Sequence, residues 1–146
     1  MKRPPKALKT LLWVSELREK KAQEDFQRGQ QAVEEIEKLL VEISKRPKEM
    51  YNSLEKKTVR GADLEDFAWG LEMAMAEKLK VEKILVQKKK EVEDLREKAL
   101  RLYQKRRTAE ALYQKAWKQY MENLKKEEFK NLDDLMLMRR KRHETL

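Results

Sequence analysis

The chain has no cysteine, and glycine and proline each occur only three times in its 146 residues. Without cysteine there is no disulfide framework and no thiolate metal site, which suits a reducing compartment. One histidine is present, His143, inside a basic tail. No His-x-x-x-His pair, Ser-His-Asp set, glycine-rich phosphate loop or fixed carboxylate pair can be assembled. Long apolar runs are missing too. The stretch after Met1-Lys2-Arg3-Pro4-Pro5-Lys6 is interrupted by Lys9, Glu16 and Arg18, whereas a secretory leader needs about 7 to 15 apolar residues and a membrane span about 20. The expectation is a chain with no transmembrane segment, no cofactor and no metal site.

What is present is helix-forming material and charge. Ala, Glu, Lys, Leu and Arg make up well over half of the residues, a composition of long helices and coiled coils. The apolar residues fall on one heptad pattern twice. The first run steps through Leu8, Leu12, Ser15, Glu19, Ala22, Phe26, Gly29, Val33, Ile36, Leu40 and Ile43 and keeps phase through Met50 and Leu54. The second steps through Leu64, Phe67, Leu71, Ala74, Lys78, Val81, Leu85, Lys88, Val92, Leu95, Ala99, Leu102, Arg106, Ala109, Tyr113, Ala116 and Tyr120. A period of about 3.5 residues held over so many heptads describes helices that supercoil on a partner. Mean hydropathy is low, at −0.98, but the apolar residues are phased onto a seam and not scattered, so order with a narrow core is expected.

Between the runs lies Val59-Arg60-Gly61-Ala62-Asp63, where Gly61 can take a left-handed terminating conformation and Asp63 with Asp66 resembles an N-terminal cap. The fold expected is all-α, a long antiparallel coiled-coil hairpin in which the second helix overhangs the first. It forms a single domain over 1–146, with helix one over about residues 5–58, the turn near 59–63 and helix two over about 64–142. Pro4 and Pro5 suit a helix start, and Pro47 is read as a kink because the heptad phase is unchanged across it. Glu16 with Lys20, Glu24 with Arg28, Glu34 with Lys38 and Glu42 with Arg46 have the favoured acid-before-base order.

Centring the hairpin on Gly61 pairs Leu54 with Phe67, Met50 with Leu71, Leu40 with Val81, Ile36 with Leu85, Gly29 with Val92, Phe26 with Leu95, Ala22 with Ala99 and Leu8 with Tyr113. The polar intrusions are Ser15, Glu19, Lys78, Lys88 and Arg106. Glu19 and Arg106 lie about one step apart across the seam, a pair that would fix register more than it stabilises. In this register everything after Tyr113 lacks an internal partner, yet Ala116, Trp117, Tyr120, Met121, Leu124, Phe129, Leu132, Leu135, Met136, Leu137 and Met138 follow. They would form a bare overhang of about 50 Å, and a contiguous exposed apolar stripe marks an interaction surface.

Two places hold more apolar residues than a two-helix seam needs. Near the turn, Phe67-Ala68-Trp69-Gly70-Leu71-Glu72-Met73-Ala74-Met75-Ala76 carries one charge, with Trp69 and Met73 pointing away from the seam. At the open end Leu11, Trp13, Val14 and Leu17 leave the seam in all directions. The bland alternatives are local packing at a hairpin tip and a small three-helix cap made with a folded-back tail. A two-helix rod offers little concavity from which water can be excluded, so the chain is not expected to be an enzyme.

Leu8-x-x-Leu11-Leu12 followed by Leu17-Arg18-Glu19, and Asn131-Leu132-Asp133-Asp134-Leu135 followed by Arg139-Arg140, resemble the FliJ family of bacterial flagellar type III export. The resemblance covers nearly the whole chain. It implies a stalk, similar to the central shaft of rotary ATP synthases, that binds a hexameric export ATPase, promotes its ring formation and activity, and links it to a membrane export gate protein. Export chaperones are further implied partners. The implied location is cytoplasmic, peripheral to the inner membrane at the flagellar base. Phe67, Trp69, Leu71, Met73, Ala74 and Lys78 would meet the gate, Lys78 departing from the residue expected there. Leu11, Trp13, Leu17, Arg106, Arg107, Lys118, Tyr120, Met121, Leu124, Leu135 and Met138 would meet the ATPase ring. A stalk needs no self-association, so a monomer is expected when free.

The net charge of +9 admits other partners. One alternative is the equivalent stalk of a virulence-type secretion system, the YscO-type proteins, which share the architecture. Another is a nucleic-acid binder using Lys88-Lys89-Lys90, the run from Arg101 to Lys118 and Arg139-Arg140-Lys141-Arg142. Basic-region coiled coils hold such charges in one contiguous arm, whereas here they are spread along a hairpin and mixed with Glu. Nucleic acid is therefore not the expected partner.

Overall fold

A computed structural model describes residues 3–55 and 61–144, with the side chains of Ala62 and Glu144 left aside. Two helices account for almost all of them, α1 (Lys6–Glu55) and α2 (Gly61–Glu144), packed against each other as an all-α hairpin with no strand among the described residues. α1 opens just after Pro4-Pro5, where the Leu8 amide donates to the Pro5 carbonyl at 3.0 Å. α1 continues through Pro47 without a break, so the helix survives the lost hydrogen bond.

The heptad pattern holds along both helices. Every seam position of α1 is buried or part-buried, Ile43 most completely at 1% exposure, and so are those of α2 apart from Leu64, which is exposed beside the helix start. Pro47 itself is part-buried in phase with Ile43 and Met50.

The turn differs from expectation. α2 begins at Gly61, so residues 61–63 are helical, and residues 56–60, which include Val59 and Arg60, lie outside the described residues. No described glycine has a positive φ, so Gly61 is the first residue of α2 and not a left-handed stop. Asp63 accordingly sits within the first turn and not at its cap, where a carboxylate still favours the positive end of the helix dipole.

The hairpin divides into two compact units. In the unit spanning Lys21–Leu100, the register is fixed by contacts at several levels. A Cβ added to Gly29 would meet Val92 Cγ2 at 3.0 Å and Leu95 Cδ1 at 3.3 Å, so the glycine marks a close helix approach opposite Val92, the residue paired with it from sequence, with Leu95, paired there with Phe26, beside it. One added to Gly70 would meet Met50 Cε at 3.4 Å. Tyr51 stands edge-on to Phe67 with ring centroids 5.5 Å apart. Arg46 reaches Glu77 at 3.1 Å and Lys89 reaches Glu37 at 3.5 Å, both pairs on the exposed flanks of the seam. Among the described residues none of the four acid-before-base pairs expected along α1 closes. Arg46 turns across the seam in place of pairing with Glu42.

The second unit comprises Met1–Lys20 with Arg101–Leu146. Its centre is an ion pair between Arg106 Nε and Glu19, whose residue exposure is only 7%. Arg106 also donates to Glu110 at 2.9 Å one turn along α2, and its guanidinium lies 5.2 Å from the centroid of the Tyr103 ring. Ala109 is buried beside this cluster. The polar seam pair anticipated from sequence is thus formed, with Glu110 and Tyr103 as additions that the heptad pattern does not indicate.

Candidate functional site

The sequence-derived contact residues divide by exposure. Of the set near the start of α2, Ala74 is buried at 6% and Phe67, Leu71 and Lys78 are part-buried in the seam, while Trp69 at 65% and Met73 face outward. Packing needs the first group to join the two helices, so only Trp69 and Met73 present free apolar surface. In the unit holding Met1–Lys20 and Arg101–Leu146, α1 exposes Leu11, Trp13 at 60% and Leu17. From α2 come exposed Arg107, Lys118, Met121, Leu135 and Met138, with Tyr120 and Leu124 part-buried. Arg106 is a correction: two carboxylates and an aromatic face hold it inside the hairpin, so it is a register residue and not a contact surface. Arg107 stays outside, its guanidinium 5.9 Å from the Tyr103 ring centroid and 3.4 Å from the ring hydroxyl.

The bare stretch is shorter than expected. Ala116, Tyr120 and Leu124 are part-buried although they follow Tyr113. Their neighbours cover one another: Tyr113 and Trp117 stand edge to face at 6.3 Å, and Trp117 and Tyr120 at 5.6 Å. Rings three or four residues apart share a helix face, which is why they screen each other. From Lys125 to His143 every residue is exposed. These residues neither fold back nor form a third helix, because α2 runs unbroken to Glu144. At a rise of 1.5 Å per residue the bare segment is about 30 Å long.

This segment carries both signs of charge. Lys125 and Lys126 open it, Glu127, Glu128, Lys130, Asp133 and Asp134 interleave with the apolar residues Phe129, Leu132 and Leu135 to Met138, and Arg139 to Arg142 close it. A shallow groove is lined by Leu132, Leu135, Met136, Met138, Arg139 and Arg142. No family model, curated protein or solved structure matches this chain. The site therefore rests on its own chemistry: apolar side chains held in water beside a cationic end, a surface suited to burial against another macromolecule.

One surface was missed from sequence. Met75, Leu79 and Val86 are all exposed and line one stripe of α2 at spacings of four and seven, off the phase of the main seam. The signal was available as a second heptad register, masked by the stronger first one. Among the described residues no group of three or more His, Asp or Glu is placed to hold a metal, and no helix is long and apolar enough to cross a membrane.

Proposed function

We propose that this protein is the coiled-coil stalk of a bacterial flagellar type III export apparatus, binding a hexameric export ATPase and linking it to a membrane export gate. The observation that supports it best is the exposed apolar and basic stretch of α2 from Lys125 to His143, in the same unit as exposed Leu11, Trp13 and Leu17. A two-helix coiled coil does not need those residues for its own folding. Their exposure is the cost of a surface kept for a partner.

In this reading the role is mechanical and electrostatic. A coiled coil presents a few side chains asymmetrically to six equivalent subunits and biases which one binds or hydrolyses ATP, while catalysis stays in the ring. Leu135 and Met138 with Trp13 and Leu17 are the apolar anchors. Arg107, Lys118 and the terminal Arg and Lys residues speed docking to an acidic lumen, an effect that fades as salt screens it. Trp69 and Met73 are the side chains left to meet the gate, and export chaperones would share these exposed surfaces.

The test is stimulation of the cognate ring-forming ATPase by the full chain and by a chain ending at Leu124. The full chain should raise the ATPase rate. The shortened one should lose that stimulation while keeping its thermal midpoint within about 3 °C, since every residue from Lys125 to His143 is exposed. Equal stimulation by the shortened chain would remove the role assigned to the tail, and no stimulation by the full chain would reject the stalk reading.

A further inference from the structure

The net charge of the chain is concentrated by the fold. Residues 3–20 and 101–118 lie far apart in sequence and belong to one compact unit, where they carry eleven Lys and Arg against three carboxylates. That is eight of the nine net positive charges of the whole chain, whereas residues 21–100 hold 17 basic and 18 acidic side chains and are nearly neutral. Two of the three carboxylates, Glu19 and Glu110, are bound to Arg106. The other ten cations are all exposed, with Glu16 as the one carboxylate left among them.

The Glu19–Arg106 pair also shows which side chains share a flank of the seam. Arg18 and Lys105 each precede one member of that pair, and in an antiparallel hairpin such residues stand on the same side. Four heptads away along both helices, the equivalent residues are Arg46 and Glu77, an ion pair at 3.1 Å. Here both are cations. Leu11 and Leu112, 48% and 47% exposed, hold the next heptad of this flank, and Arg101 and Lys115 stand one turn beyond Lys105 and Leu112. Glu16 and Glu110 each follow a seam residue by four and fall on the opposite flank. Among the described residues none of these four cations has a carboxylate partner.

We propose that this flank docks on an anionic membrane surface, with Arg18, Arg101, Lys105 and Lys115 meeting lipid phosphates and Leu11 and Leu112 entering the headgroup layer. Charge complementarity selects the partner's sign, because a flank of like charges without a carboxylate is relieved only by an anionic surface. The leucines between the cations select the membrane. Nucleic-acid phosphates would satisfy the cations but leave both leucines in water, whereas a bilayer interface takes up charge and apolar surface together. Attachment is peripheral, since among the described residues no helix is long and apolar enough to cross a membrane. The inference goes beyond the stalk reading and does not rest on it.

The experiment is co-sedimentation of the full chain with vesicles of phosphatidylcholine alone or with about 30% phosphatidylglycerol, in salt from about 50 to 300 mM. Wild type should bind the anionic vesicles only, and release as salt rises. Arg18→Glu sets a carboxylate beside Lys105, the arrangement that Arg46 and Glu77 already have, so its thermal midpoint should be no lower than that of wild type. Its vesicle affinity should nevertheless fall roughly tenfold or more. Lys80→Glu makes the same change in net charge at an exposed site of the other unit and should bind within about twofold of wild type. Leu112→Gln keeps every charge and should bind roughly threefold more weakly. A wild-type chain that stays free of anionic vesicles at about 50 mM salt would overturn the proposal. So would an Arg18→Glu chain that binds like wild type, or equal losses from Arg18→Glu and Lys80→Glu. Unchanged binding by Leu112→Gln, or duplex DNA bound more tightly than the vesicles, would replace the membrane with a nucleic acid and overturn it too. No ATPase enters the assay, so its failure leaves the stalk reading untouched, and failure of ATPase stimulation leaves the membrane contact untouched.

Discussion

Arg106→Leu is expected to lower the unfolding free energy by about 3 kcal/mol, the largest loss from any single seam substitution. The guanidinium is the counter-ion of Glu19, which is buried between the helices. Removing it takes the opposite charge away from a carboxylate buried in a narrow apolar seam. The reverse change is milder. Glu19→Leu leaves Arg106 still bonded to Glu110 and still over the Tyr103 ring, so its loss should be about 1 kcal/mol. The double variant, with leucine at both positions, removes the charge and its partner together and should return to within about 1 kcal/mol of wild type. Urea unfolding of the four proteins gives a coupling energy directly. A coupling near zero would mean that the pair is hydrated and sets no register.

Pro47→Ala is expected to act in the opposite direction, raising stability by about 2 kcal/mol. A proline inside a helix removes one hydrogen bond and crowds the carbonyl of the residue four before it, a penalty of about 3 kcal/mol. Here that residue is Ile43, the most deeply buried apolar side chain among the described residues. Alanine restores the amide donor to the Ile43 carbonyl, and the part-buried proline ring surrenders some seam packing in exchange. For a chain of this length the thermal midpoint should rise by roughly 6 °C. A lower midpoint would show that the helix path imposed by Pro47 is needed for the packing around Ile43 and Met50.

Much of the fold was legible because one period carried it. The alternating steps of four and three are enough to place Glu19, Ala22, Gly29, Ile43, Val81 and Leu85 on the seam, and each is buried. Size complementarity supplied the register: Gly29 opposite Val92 is the one place where a missing side chain and a branched one had to meet, and the close approach is there. The start of α2 was less legible. Gly61 and Asp63 carry termination and capping signals that fit either side of a helix boundary, and a difference of three residues does not change the seam. The contact surfaces were legible only in outline. Sequence marks an apolar residue as off the seam, but neighbours decide whether it is bare. Tyr120 and Leu124 looked as exposed as Met121, and the rings of Tyr113 and Trp117 are part of what separates them. Phe67, Leu71 and Ala74 were credited to a partner and to the seam at once, and burial assigns them to the seam.

Every functional statement depends on the chain doubling back in this register, because that decides which apolar residues are used up in the seam and which are left for a partner. The direct measurement is a spin-label distance between cysteines placed at Glu37 and Lys89, exposed residues whose side chains meet across the hairpin at 3.5 Å. The chain has no cysteine of its own, so labelling is specific, and dilution with unlabelled protein isolates the distance within one molecule. Helix axes 8 to 10 Å apart put the labels within about 20 Å of each other. A distance of roughly 75 Å, the span of one continuous helix between those positions, would contradict the hairpin and the surface assignments that follow from it.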